Sequence, residues 1–312
     1  MNTSHPNPRR RLLKLIGGLA ALLAMPEPGR TAAAAPAEML KRPVPRSGEL
    51  LPAVGLGTWQ TFDVGANDPA RAELKEVLRQ LAALGGSVVD SSPMYGESER
   101  VVGDLTAELG IRDRLFLATK VWTSGREAGI RQMEDSFRLM RTKRMDLMQV
   151  HNLLDLGTHL KTLREWKAAG KIRYLGITHY HSGAYADLER LVKTREYDFV
   201  QFNYSMDERE AEARLLPLCA DSGTAVLINR PFSLAGLFGK VRGKPLPPWA
   251  KDFDCASWAQ FFLKYILAHP AVTCVIPGTR RAAHLKDNLQ AGAGRLPDAA
   301  MRRRMVEYLQ SL

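Results

Sequence analysis

The chain has little cysteine, no long apolar run and no glycine-rich dinucleotide fingerprint, and each gap excludes a class of protein. Among 312 residues there are 3 cysteines, Cys219, Cys255 and Cys274. The number is odd, too small for a disulfide framework, and lacks the C-x-x-C spacing that holds zinc. They read as ordinary apolar residues with room for one bridge, and no metal site is expected. The uncharged stretch Leu15 to Pro26 has 12 residues, short of the roughly 20 needed to cross a bilayer. A stable membrane span is therefore not expected. No G-x-G-x-x-G follows an early strand, which argues against an open doubly wound sheet with its dinucleotide at that turn. Gly55-x-Gly57 supplies only two glycines before Thr58-Trp59.

A basic run with interleaved aromatics is also missing. The formal charge is +11, yet residues 1–35 hold Arg9, Arg10, Arg11, Lys14 and Arg30 against Glu27, so +4 belongs to that stretch. The rest reads as a solvated basic surface, and no nucleic-acid partner is expected. What is present is an ordinary globular composition: 45% apolar and 25% charged residues, with 25 Gly and 18 Pro. Disorder, collagen and coiled coil are excluded, and a large core can form. The length allows two domains, although eight-fold α/β barrels use roughly 200–300 residues as one.

Residues 1–35 have the layout of a signal peptide: a basic start, the uncharged stretch, then the small residues Thr31 to Ala35 with cleavage expected near Ala34 or Ala35. Arg9-Arg10-Arg11-Leu12-Leu13-Lys14 before a Gly- and Ala-rich core resembles a twin-arginine leader, which addresses folded proteins to export. An ordinary arginine-rich secretory leader is the alternative. A Pro-rich lead-in follows over residues 36–50, and the remaining 51–312 read as one domain.

Within that domain, apolar runs of four to eight residues alternate with longer stretches of helical period. Candidate strands are Ala53 to Gly57, Ser87 to Ser91, Leu115 to Lys120, Met145 to Val150, Tyr174 to Thr178, Phe199 to Phe202, Ala225 to Ile228 and Val272 to Ile276. Arg71 to Leu84 exemplifies the helices, with Leu74, Val77, Leu78 and Leu81 at three- and four-residue spacing. Near-continuous apolar strands between amphipathic helices imply a covered parallel sheet, and eight such units imply a closed (β/α) barrel of the TIM type.

In such a barrel the chemistry sits at the carboxyl ends of the strands. The second strand stops at Asp90 and its loop carries Tyr95; the third stops at Lys120 and the fourth at His151. These four types suit carbonyl reduction, in which hydride reaches carbon while oxygen takes a proton from a positioned acid. Tyr95 can be that acid if the Lys120 ammonium lowers its pKa from near ~10. Asp90 is the counter-charge for Lys120, and a neutral His151 would orient the carbonyl.

Several motifs then match in order: Val54-Gly-Leu-Gly-Thr-Trp59, Val89-Asp-Ser-Ser-Pro-Met-Tyr-Gly96, Ala118-Thr-Lys120, Met145-Asp-Leu-Met-Gln-Val-His-Asn152 and Val275-Ile-Pro-Gly278. Together they resemble the aldo-keto reductase superfamily over about Leu51 to Leu289. The resemblance implies that Asp90, Tyr95, Lys120 and His151 are its catalytic four. It also implies NADP(H) as cofactor in preference to NAD(H), with contacts from the following positions. Thr58 and Trp59 stand in the first-strand motif. The nicotinamide carboxamide is held from Thr178-His179, where the family has Ser-Asn, and from Gln201. At the seventh strand, where the family has a stacking aromatic, this chain reads Asn229-Arg230-Pro231-Phe232-Ser233-Leu234-Ala235-Gly236. The ring is missing, so the planar guanidinium of Arg230 or a neighbouring aromatic must replace it. Ser233, Leu234 and Gly236 suit a diphosphate, and Thr279, Arg280 and Asn288 carry over to the 2′-phosphate and adenosine end. Gly278 stands where Lys is frequent, and His284 where Arg or Gln is.

The expected function is therefore a periplasmic, monomeric reductase of small aldehydes or ketones, loaded with cofactor before the twin-arginine machinery exports it. The competing reading is an NADP-binding regulatory or redox-sensing barrel with negligible turnover. The short connection Leu153 to Thr158 and the terminal helical segment Asp298 to Leu312, with no long tail to roof the pocket, imply an open site, so the substrate stays undetermined.

Overall fold

The computed structural model describes residues 38–312, and the leader with its cleavage region lies outside the described residues. The first two strands, β1 (Lys41–Pro43) and β2 (Leu50–Pro52), pair antiparallel as a hairpin. Eight parallel strands follow: β3 (Leu56–Gly57), β4 (Val88–Asp90), β5 (Phe116–Val121), β6 (Met145–His151), β7 (Ile172–Thr178), β8 (Phe199–Asn203), β9 (Ala225–Asn229) and β10 (Cys274–Val275). They stand in sequence order across one sheet, and the bridges Val54 to Val275 and Gly57 to Gly278 join its first and last strands. The closed α/β barrel expected from the alternating runs is what forms. The seam is the site of the Gly55-x-Gly57 pair. A Cβ on Gly57 would lie 2.8 Å from the Ile276 carbonyl oxygen, and one on Gly55 2.8 Å from Val88. These glycines allow backbone approach at closure. Pairing at the seam is interrupted, so β3 and β10 are shorter than the runs Ala53 to Gly57 and Val272 to Ile276.

The helices cover the outside: α1 (Ala70–Ala83), α2 (Ser98–Glu108), α3 (Arg126–Leu139), α4 (Leu156–Ala168), α5 (Tyr185–Val192), α6 (Leu215–Ser222), α7 (Gly236–Lys240), α8 (Trp258–Leu267), α9 (Ala282–Gln290) and α10 (Ala299–Gln310). In α1 the buried stripe is Leu74, Val77, Leu78, Leu81 and Ala82, the three- and four-residue spacing of one helix face. The three cysteines are all free and buried, so the bridge for which the sequence left room is not made. Burial pushes the Cys219 and Cys255 thiols up to about 12, which makes them inert.

Strand side chains alternate between helices and barrel interior with period two. The interior column holds Val88, Phe116, Ala118, Leu147, Tyr174, Phe199, Ala225 and Leu227, and the hairpin adds Val44 and Leu51 to it. The hairpin thus belongs to the packing at the amino end of the barrel. Arg42 on β1 fixes it there, donating to the carbonyls of Leu267, His269, Pro270 and Val272. A cleft of about 590 Å³ at this end is lined by residues such as Arg112, Arg144 and Arg173 at the starts of the strands. It is at the opposite end from the polar cluster described next.

Candidate active site

The same parity that points Val88, Phe116, Leu147, Phe199 and Leu227 inward carries Asp90, Lys120, Gln149, His151, Thr178, Gln201 and Asn229 inward at the carboxyl end. The apolar column ends and a polar layer begins. Lys120 is fully buried, and its Nζ lies 2.7 Å from Asp90 Oδ2 and 2.6 Å from the Ser91 carbonyl. Asp90 Oδ1 accepts from Gln149 Nε2 at 3.1 Å and Gln201 Nε2 at 2.9 Å. One carboxylate therefore receives three side-chain donors. The Lys120 ammonium stands 5.0 Å from the centre of the Tyr95 ring. The Tyr95 ring meets His151 edge-on at 6.0 Å, and Trp122 flanks His151 at 6.3 Å. Ser92 Oγ is 3.1 Å from His151 Nδ1. When the serine donates there, the imidazole proton resides on Nε2.

Electrostatics sharpen these roles. Burial pushes the Lys120 ammonium down, but the Asp90 carboxylate and Tyr95 outweigh it, so the lysine is held charged. His151 is pushed down to about 3 by burial, with Lys120 and then His179 adding repulsion, so it is neutral at ordinary pH. The Tyr95 phenol departs from the expectation. Burial drives its pKa above the ordinary value and outweighs the lowering by Lys120, while Asp90 adds to the rise. Tyr95 is thus a fully protonated phenol with a cation beside it, suited to giving a proton that its own medium does not take.

The residues expected at the nicotinamide end are also brought together. Thr178 Oγ1 donates to Gln201 Oε1 at 2.9 Å, and Asn229 Nδ2 reaches the same oxygen at 3.3 Å and the His179 carbonyl at 3.1 Å. Thr58 is less free than expected: its hydroxyl donates to the Asp90 carbonyl and Ser91 Oγ. Trp59 is 42% exposed at the same end. In the loop after β9, Arg230, Ser233, Leu234 and Ala235 all have left-handed φ between 49° and 71°. Such strain in non-glycine residues persists where the surroundings impose it, commonly at ligand sites. Ser233 Oγ pairs with Ser205 Oγ at 2.8 Å, and Gly236 donates its N–H back to the Ser233 carbonyl. The Leu234 and Ala235 N–H groups have no acceptor among the described residues, and Leu234 is exposed. They fit the oxygens of a diphosphate.

Among the residues expected at the adenosine end, Thr279 Oγ1 accepts from the Arg281 N–H, and exposed Arg280 donates to the Gln60 carbonyl at 3.0 Å. Asn288 is buried on α9, and the Ala282 N–H at the start of that helix donates to Glu73. Gly278 and His284 are exposed.

Gln149, Ser92 and Trp122 escaped the sequence reading. Gln149 was detectable by parity, since it lies between inward Leu147 and inward His151. Ser92 and Trp122 follow their strands in loops, where no period applies. Among the described residues no group of His, Cys, Asp and Glu could hold a metal ion.

A family model described as the aldo/keto reductase family matches residues 53–304. The chain belongs to that family. It is an oxidoreductase, and its polar layer lies at the carboxyl ends of the barrel strands. Methylglyoxal reductase YeaE of Escherichia coli is 29% identical over 259 residues, which cover 80% of this chain and 89% of the relative. An aldo/keto reductase from Klebsiella pneumoniae in complex with NADP and acetate is 26% identical with a TM-score of 0.72, covering 84% of this chain and 93% of that one. A K. pneumoniae aldo-keto reductase in complex with NADPH is also 26% identical, with a TM-score of 0.73 and coverage of 87% and 96%.

Proposed function

We propose that this barrel reduces aldehydes or ketones to alcohols with NADPH, and that Tyr95 donates the proton. The observation that carries the reading is the buried chain from Asp90 through Lys120 to the Tyr95 ring, with neutral His151 against the same ring. The cofactor supplies hydride to the carbonyl carbon when bound. His151 orients the carbonyl oxygen from Nε2, and Tyr95 gives its hydroxyl proton to the oxygen as negative charge develops there. Lys120 stabilises the resulting phenolate, and Asp90 keeps the lysine charged, with Gln149 and Gln201 holding the carboxylate. NADP(H) is supported by the strained loop with its free N–H groups, by Arg280 before α9, and by the nucleotides held in the two K. pneumoniae proteins. Purified protein, NADPH and a panel of uncharged aldehydes test the reading. Nucleotide oxidation that depends on the aldehyde supports it, and tight NADPH binding without turnover would establish the regulatory alternative.

The reading extends to export. A cofactor that must be inserted before secretion is a reason to use a folded-protein route, and Arg9-Arg10-x-Leu12-Leu13-Lys14 fits its leader. Replacing Arg9 and Arg10 by Lys keeps the charge, so an ordinary secretory leader would still work. Active precursor retained in the cytoplasm is the expected result. Wild-type periplasmic levels of the double variant would overturn the twin-arginine reading.

A further inference from the structure

The stacking ring missing after β9 leaves a question that Arg230 answers. Its backbone is left-handed at φ 49°, its Nε is buried without a partner, and it makes no salt bridge among the described residues. An unpaired cation with an orphaned N–H in strained backbone is a costly arrangement for structure alone. The side chain has a direction. NH1 donates to the Tyr180 carbonyl at 2.9 Å, and the guanidinium lies 5.9 Å from the Tyr180 ring centre. Tyr180 is itself stacked on His179 at 5.4 Å. The Arg230 side chain therefore reaches across to the end of β7, beside Thr178 and His179, while its carbonyl accepts from the Ser233 N–H in its own loop. Neighbouring Asn229 is anchored to the same segment through the His179 carbonyl.

We infer that Arg230, propped by Tyr180 and His179, is the planar group that faces the nicotinamide in this chain, and that its charge makes the pocket discriminate between the oxidation states of the cofactor. The inference rests on the NADP(H) reading above. A neutral aromatic ring in that place attracts a cation through its electron-rich face. A guanidinium does the reverse: the oxidised nicotinamide carries a positive charge and the reduced ring carries none, so Arg230 repels only the oxidised form. Product NADP⁺ would leave readily, and the barrel would be biased toward reduction.

The test measures dissociation constants of NADPH, NADP⁺ and 2′,5′-ADP by fluorescence titration for the wild type, Arg230→Gln and Arg230→Lys. Glutamine keeps a planar amide without charge, and lysine keeps charge without the plane. The wild type should bind NADPH more tightly than NADP⁺, and Arg230→Gln should reduce that ratio about tenfold, a change of the order expected for one partly screened charge. Arg230→Lys should retain most of the ratio, and 2′,5′-ADP, which lacks the nicotinamide, should bind all three proteins alike. An unchanged ratio in Arg230→Gln overturns the inference, including the case in which all ligands weaken equally and Arg230 proves to grip phosphate. If Arg230→Gln does not fold, loss of the preference in Arg230→Lys overturns it equally. Binding of none of the three ligands by the wild type would overturn the cofactor reading and this inference together, whereas 2′,5′-ADP bound with an unaltered ratio overturns the inference alone.

Discussion

The two ends of the barrel are built from the same eight strands, yet at one end the polar groups are paired, Arg112 Nε excepted, and at the other many are not. At the amino end Arg173 pairs with both Glu49 and Asp146, Tyr174 bonds Glu49, and Arg42 satisfies four carbonyls. At the carboxyl end Gln149 Oε1, Asn152 Oδ1, Asn203 Oδ1, Asn229 Oδ1 and Arg230 Nε are buried without partners, half of the ten such atoms among the described residues. Backbone strain divides in the same way. Eight of the eleven non-glycine residues with positive φ (Gln60, Asn152, Leu153, Asp155, Arg230, Ser233, Leu234 and Ala235) follow strands at the carboxyl end. Buried polar groups are normally satisfied, so the unpaired set marks where a ligand completes the structure.

The division predicts which substitutions will separate catalysis from stability. Tyr95→Phe keeps the ring against His151 and removes the hydroxyl proposed as the proton donor. The rate of carbonyl reduction should fall by roughly 10²–10⁴-fold, while the urea midpoint and NADPH affinity stay near wild type. Reduction within a few-fold of wild type would remove Tyr95 from the chemistry. Arg42→Met should do the reverse. It leaves four carbonyls, at the last residue of α8 and in the segment after it, without their donor and should cost about 2–4 kcal/mol in urea unfolding, with kcat unchanged. A stability near wild type would mean that the hairpin is not part of the barrel's closure.

The same division explains what could be read from the sequence. The eight strands were visible because a covered parallel sheet makes each strand an apolar run, and Asp90, Lys120 and His151 were visible because they end such runs. Their convergence follows from the parity shared by inward residues. Gln149 was hidden inside a run, where one polar residue looks like noise until its register with Lys120 is known. The direction of the Tyr95 pKa was misjudged because the sequence shows the neighbouring ammonium and not the loss of water around the ring. The hairpin of β1 and β2 was unreadable as structure, since Pro43, Pro45 and Pro52 suggest a linker and its anchor, Arg42, finds its carbonyls more than 220 residues away.

Stability against pH adds a finer contrast. His151 is pushed from 6.5 down to about 3 in the folded protein, so the unfolded chain binds more protons at mildly acid pH. Its contribution is complete above pH 6.5 and is lost progressively as pH falls toward 3. His151→Gln cannot titrate, and its unfolding free energy should decline less steeply across that window, by a few kcal/mol at the acid end. Parallel curves for the two proteins would place His151 in contact with water. Activity of the wild type should show no titration near 6.5 attributable to this imidazole.

The smallest expected effect lies at the rim, where Arg280 is exposed and its one described bond is to the Gln60 carbonyl at 3.0 Å. Arg280→Ala removes a charged donor for a 2′-phosphate, which NADPH has and NADH lacks. Solvent screening at an exposed position limits the change, so NADPH should weaken about tenfold and NADH hardly at all. The loss of the Gln60 contact acts on both nucleotides alike, which makes the difference between them the informative quantity. Equal weakening would assign Arg280 to holding the loop after β3 in place, and the 2′-phosphate would then fall to Arg281 or Lys286, the neighbouring exposed cations at the start of α9 and within it.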